Sequence, residues 1–163
     1  MSGAQHVKRN FGPVWDPSSR ILILGSFPSV KSREAAFFYG HPQNRFWRVI
    51  AEIFGEDIPC SVDEKRKLLL RNHIALWDVI ASCEIDGSSD SSIKNAVPND
   101  IGLILNAAPI RRIYVNGKTA ARYCQKHLAA GTDIDFVCLP STSPANAAWS
   151  LDRLIEVWSV IKT

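Results

Sequence analysis

"RILILGSFPS" occupies residues 20–29, and its two halves set the pattern for the rest of the chain. Ile21 to Leu24 are apolar without alternation, the pattern of a strand buried on both faces, and Gly25 opens a polar turn. Three further runs share that character: "IALWDVI" (74–80), "RIYVNG" (112–117) and "IDFVCLP" (134–140), each ending at Gly, Pro or a polar cluster. Helical patterns separate them, which predicts an α/β protein whose parallel sheet carries helices on both faces. Helices are expected after Asn44 and over 62–71, 99–106 and 118–129. A last helix would start with Ser143 as N-cap and Pro144 in the first helical position, burying Leu151, Leu154, Ile155 and Trp158. In the helix after Asn44, Arg45, Arg48 and Glu52 share one stripe, a narrow wet edge on a segment otherwise apolar all round. "DGSSDSSIKN" (86–95) reads as the longest loop.

A length of 163 residues and 46% hydrophobic content suit one domain with one core, spanning 1–163 with 1–19 as an N-terminal extension. A net charge of +3 is too mild to imply a polyanionic partner by itself. Cys60, Cys83, Cys124 and Cys138 form no C-x-x-C pair, so zinc and iron–sulfur spacing is absent and reduced thiols, mostly in the core, are expected. The first residues lack a signal-peptide stretch, and no apolar run approaches the roughly 20 residues that span a bilayer. A soluble, intracellular (cytoplasmic) protein is expected, with no membrane partner. Nothing calls for an obligate oligomer, so a monomer is expected.

Open parallel sheets bind ligands beyond the carboxyl ends of their strands. Each run here gives way to polar residues: "GSFPS" (25–29), Asp78, Asn116-Gly117 and "PSTSP" (140–144). Between the first two runs lies "FFYGHPQNRFW" (37–47), with five aromatic rings, a Gly-His-Pro turn, two adjacent amides and an arginine. Such a stretch suits a surface that stacks on something flat and also hydrogen-bonds it. A phosphate-binding P-loop around "NGKTA" fails, because the required glycine is Arg112. A serine hydrolase lacks G-x-S-x-G and a triad that His6, His41, His73 or His127 would complete. His41, the closest metal candidate, has no partner ligand at helical spacing. A flat, polar, anion-carrying ligand remains, and a base flipped out of DNA fits it.

These motifs, "GSFPS" with "FFYGHPQNRFW", then "NGKTA", then "LPSTSPANA" with "SLDRL", resemble the uracil-DNA glycosylase superfamily in consistent order over roughly 20–161. They look most like its hypoxanthine-DNA (deoxyinosine) glycosylase branch, and "GHPQNRFW" is also close to the mismatch-specific uracil/thymine branch. The resemblance implies a three-layer α/β/α fold around a central four-stranded parallel sheet. It implies a monofunctional DNA glycosylase of base excision repair, without metal or other cofactor, acting on DNA that contains deaminated bases.

Carried onto this chain, the resemblance makes Asn44 the catalytic amide that reads and polarises the base, a role compatible with capping the following helix. It places Tyr39, Phe27 and Asn116 at the base, with Tyr39 as stacking platform. Ser26 and Ser29 fall near sugar and phosphate, and Ser141, Thr142 and Ser143 in the loop that pinches the backbone and supports a wedge. Two positions depart from the usual superfamily pattern: Phe27 replaces the first motif's Asn or Asp, and Leu139 replaces the His or Asn before Pro-Ser. The first departure argues against uracil excision; the hypoxanthine branch shares the second, which strengthens the resemblance to it, and catalysis is left to leaving-group stabilisation by Asn44 and a loop residue such as Asp90. The alternatives are a uracil/thymine-mismatch or broader glycosylase, a catalytically silent DNA-binding module of the same fold, and a hydrolase of free nucleosides.

Overall fold

Strand β2 (Ile21–Gly25) is buried at every residue and lies between two parallel neighbours, β3 (Ile74–Asp78) and β6 (Arg112–Asn116). A fourth strand, β7 (Phe136–Leu139), pairs with β6 in the same direction, so the sheet runs β3-β2-β6-β7. The computed structural model describes residues 4–128 and 134–162. Leu22, Ile23 and Leu24 are fully inaccessible, and truncating any of them to Ala costs about 2–5 kcal/mol. The unbroken apolar run is therefore a central strand covered on both sides, as its lack of alternation predicts.

Helices flank the sheet. Between β2 and β3 come α1 (Val30–Ala35), α2 (Phe46–Ile53) and α3 (Val62–Arg71). α3 begins at Ser61, whose hydroxyl accepts the Glu64 N–H, and it packs on β3. α5 (Lys118–His127) packs on β6 and β7, and α6 (Leu151–Trp158) on α2, where Phe46 and Trp158 meet edge to face at 6.0 Å. Ala129, the expected end of α5, lies outside the described residues, as do 1–3 and 163.

Sheet order defines where a ligand can enter. From β2 the chain passes to β3 on one side and later to β6 on the other, so the crossovers diverge at the carboxyl end of β2. The register aligns Gly25 with Asp78 and Asn116 with Leu139, bringing all four strand ends to one rim.

Several expectations change. The run 74–80 is not one strand: after Asp78 the chain bends at Val79 and enters a second, antiparallel sheet, β1-β4-β5, of β1 (Gln5–Lys8), β4 (Ile80–Ile85) and β5 (Lys94–Pro98). Val79 and Ile80 donate to the carbonyls of Gly25 and Ser26, fastening the bend to the first loop. Residues 5–19, expected as an extension, supply β1, a bridge from Val14 to Leu76 and the buried guanidinium of Arg9. The helix expected over 99–106 shortens to α4 (Gly102–Leu105), because Asn99 anchors to Val79 and Asp78 while Asp100 accepts from Gly102. The last helix is capped by Ser150, not Ser143. Of the four free thiols, Cys83 and Cys124 are buried, whereas Cys60 and Cys138 are exposed.

Candidate functional site

A cavity of about 310 Å³ opens at the carboxyl rim of the parallel sheet. All nine residues that the sequence singles out, Ser26, Phe27, Ser29, Tyr39, Asn44, Asn116, Ser141, Thr142 and Ser143, line it. So do Asp78 and Asp90. Its size falls at the small end of pockets that enclose small molecules, roughly 300–1,000 Å³.

One wall is made of amides. Asn44 sits just before α2, and its Oδ1 accepts both the Phe46 N–H at 2.9 Å and the Thr142 hydroxyl at 2.9 Å. Thr142 is fully buried, and Asn116 holds it twice: Asn116 Nδ2 donates to Thr142 Oγ1 at 3.0 Å, and Thr142 N donates to Asn116 Oδ1 at 3.0 Å. With its carbonyl oxygen doubly occupied, Asn44 can turn only its Nδ2 outward, and no acceptor among the described residues takes that donor. Asn44, one residue ahead of the N-cap Arg45, thus takes the first helical N–H and offers a fixed donor to the cavity. The two roles do not compete, because they use opposite ends of the same amide.

The loop after β7 is held by a residue that the helical stripe assigns to solvent. Arg48 and Glu52 are exposed on α2, but Arg45 turns the other way. Its guanidinium donates to the carbonyls of Thr142 at 3.4 Å, Ser143 at 2.9 Å, Asn146 at 3.1 Å and Trp149. Its backbone N–H adds a bond to Thr142 O at 3.1 Å. With four carbonyls drawn to one guanidinium, 142–149 cannot form the helix expected from Ser143; instead Ser143 Oγ accepts from Ala145 N in a local turn. The hint in the sequence is adjacency: Arg45 comes directly after Asn44, the candidate amide.

Tyr39 and Phe27 supply the apolar surface. The Tyr39 ring stacks on Phe46 with centroids 4.2 Å apart, and its backbone is held in the left-handed region at φ 51°. Its hydroxyl is buried beside Asp78 and has no aligned hydrogen-bond partner among the described residues. Burial, then the Asp78 charge, pushes its pKa up, against a weaker opposing influence from nearby Asn116, so the phenol stays neutral. Glycine is required at position 25, since a Cβ there would lie 2.5 Å from Asp78 Oδ1 and 3.0 Å from Tyr39 Oη. Phe27 is nearly buried beneath the Arg33 guanidinium, 5.7 Å from its ring. The surrounding stretch is stiff, with Trp47 Nε1 donating to Phe38 O at 3.2 Å and its ring stacking on Phe37.

Another part of the lining carries the acids. Asp78 is paired with Arg9 at 2.8 and 3.3 Å, both side chains almost wholly buried. Asp90, on a short 3₁₀ turn in the 86–95 loop, takes the Ser26 hydroxyl at 3.1 Å on Oδ1 and 3.3 Å on Oδ2. Burial pushes the pKa of both carboxyls up, opposed by Arg9 at Asp78 and by the Ser26 hydrogen bond at Asp90. Ser29 caps α1 through Ser32 N and Ser141 Oγ accepts from Ser143 N, so both also serve the loops they stand in.

Fold and pocket together define an α/β protein with a cavity of aromatic, amide and acidic side chains at the switch point of a parallel sheet. The chain belongs to the uracil DNA glycosylase superfamily, whose family model matches residues 13–162. It is 38% identical over 157 residues to a protein of Methanosarcina acetivorans named hypoxanthine DNA glycosylase, covering 95% of this chain and 98% of the relative. A protein of the same name from Methanosarcina barkeri is 39% identical over 119 residues, 71% of this chain and 75% of the relative. A solution NMR structure from Methanosarcina acetivorans, described as a candidate uracil DNA glycosylase, superposes with a TM-score of 0.82 at 36% identity, covering 97% and 98% of the two chains.

Proposed function

We propose that this protein is a monofunctional DNA glycosylase that flips a deaminated base, hypoxanthine foremost, out of DNA and hydrolyses its N-glycosidic bond. The observation that carries this reading is the fixed Nδ2 donor of Asn44, unclaimed among the described residues, in a base-sized cavity, in a chain similar over nearly its full length to a protein named hypoxanthine DNA glycosylase.

Glycosidic cleavage sends the bonding electrons onto the base, which departs as an anion while the sugar becomes cationic. A donor oriented beforehand toward the base gains strength as that charge develops and needs no reorganisation to do so. Hypoxanthine spreads the charge over its 6-oxo system and leaves more readily than adenine, so stabilising the leaving group falls to one aimed amide where Phe27 and Leu139 offer no polar group. Tyr39 supplies a rigid face, backed by Phe46, against which the extruded base stacks. The Arg45-bound loop carrying Ser141, Thr142 and Ser143 approaches the DNA backbone and supports the strand from which the base has left.

Oligonucleotides containing inosine, uracil, xanthine or ethenoadenine, with free inosine alongside, test the reading. Release of free hypoxanthine from the inosine strand, unaffected by EDTA and leaving an uncleaved abasic site, is expected. Salt-sensitive DNA binding without base release would mark a silent binding module. Release from free inosine would mark a nucleoside hydrolase, and strand cleavage would contradict monofunctional chemistry.

A further inference from the structure

The cavity is lined by two carboxylates, and they are not equivalent: Asp78 is buried, whereas Asp90 is only partly so. Asp78 is tied up by Arg9 and by its place at the end of β3. Among the described residues Asp90 makes no ion pair: the Ser26 hydroxyl reaches both its oxygens, Arg122 acts on it only from a distance, and it lines the pocket. Its loop is not loose. Val30 N donates to Ser88 Oγ at 2.8 Å, Arg33 to Gly87 O at 2.6 Å, Asp86 N to Ser92 Oγ at 2.8 Å and the Tyr123 hydroxyl to Ile93 O at 3.4 Å. A carboxylate held this way in a pocket for a polyanion repels phosphate, and the partner it suits is the cationic sugar together with the water that attacks it. Phe27 brings no polar group to the cavity, and its neighbour Ser26 reaches for an acid from another loop.

Resting on the glycosylase reading above, we propose that Asp90 is the general base that activates the attacking water, with Ser26 as the residue that positions its carboxylate. As the C1′–N9 bond breaks, its electron pair leaves with the base. The water oxygen bonds C1′ and one water proton passes to Asp90. Asp90 then loses that proton to solvent and the hypoxanthine anion is protonated from solvent, so one water is consumed overall. Besides Ser26, the groups facing Asp90 electrostatically are Asp78 at the end of β3, Tyr39 after α1, Cys83 on β4 and Arg122 on α5.

Single-turnover release of hypoxanthine from inosine-containing duplex, at saturating protein and across pH, tests this. Asp90→Asn keeps the shape and the acceptor for Ser26 but removes the base, and should slow release about 10²-fold or more with DNA affinity and thermal stability retained. The unaltered protein should lose rate toward acid as Asp90 takes up a proton, and Asp90→Asn should lack that limb. Ser26→Ala should move the limb to higher pH, since the Ser26 hydrogen bond favours the ionised carboxyl, and Ser26→Thr should restore it. An Asp90→Asn protein with unaltered rate, or one that keeps the same acid limb, overturns the assignment. If that result accompanies a slow Asn44→Ala protein, the glycosylase reading stands and only Asp90 falls. No base release from the unaltered protein overturns both.

Discussion

The two walls of the cavity solve different problems with different chemistry. Around Asn44, Thr142 and Asn116 a closed set of hydrogen bonds fixes the amides, and among the described residues no acceptor takes Asn44 Nδ2. Around Asp78 and Asp90 the groups are acidic and raised in pKa, Asp78 buried and Asp90 partly so. A neutral wall suits a base that leaves as an anion, and an acidic wall suits a sugar that becomes a cation. Placing either group on the other side would oppose the charge that develops there.

The largest expected effect removes the acidic wall's internal counter-ion. Arg9→Ala leaves Asp78 buried and alone, which should destabilise the protein by about 3–5 kcal/mol. Asp78 already titrates above the ordinary carboxylate range, and losing Arg9 raises it further. A folded state that binds a proton more tightly than the unfolded chain gains stability as pH falls. The deficit should therefore be greatest at neutral pH and shrink toward acid in denaturant titrations, and a pH-independent deficit would show that Asp78 is not the cause.

On the neutral wall, Asn44→Ala should reduce base release by about 10²–10³-fold, the usual cost of one aimed donor, with DNA binding preserved. Thr142→Val keeps the side-chain volume but strands Asn116 Nδ2 and frees one lone pair of Asn44 Oδ1. It should cost about 1–3 kcal/mol of stability and slow release while Asn44 itself is intact. Equal rates in Thr142→Val and the unaltered protein would mean that the amide needs no holding. Where the walls meet, Gly25→Ala drives a methyl into Asp78 Oδ1 and Tyr39 Oη. Overpacking of that kind costs about 1–3 kcal/mol, read as a lowered melting temperature.

The neutral wall was legible in the sequence and the acidic wall was only partly so, for physical reasons. Ile21 to Leu24 and the Asn44-to-Trp47 stretch carry strong local patterns, a non-alternating apolar run and an amide ahead of a buried helix. The nine residues singled out from strand ends and motifs share one cavity. The second sheet left no such trace: β1 reads "QHVK" and β5 "KNAVP", mostly exposed, and they are strands because β4 pairs with both. Arg9 and Asp78 lie 69 residues apart, and no local pattern announces an ion pair across that distance. Ser143-Pro144 shows the opposite failure, a sound local signal for a helix start overridden by the four carbonyl contacts of Arg45. Long-range polar contacts decide these places, and they are where the chemistry is assembled.

Replacing Asn44 by Asp and timing hypoxanthine release in a single turnover puts the aimed donor itself to the test. The substitution is isosteric and keeps an oxygen to accept from Phe46 N and Thr142 Oγ1, so it exchanges only the outward donor for a negative oxygen. If Asn44 Nδ2 stabilises the departing base, the loss should be at least as deep as that of Asn44→Ala, in a folded protein that still binds DNA. An Asn44→Asp protein that releases hypoxanthine at the unaltered rate would contradict that role.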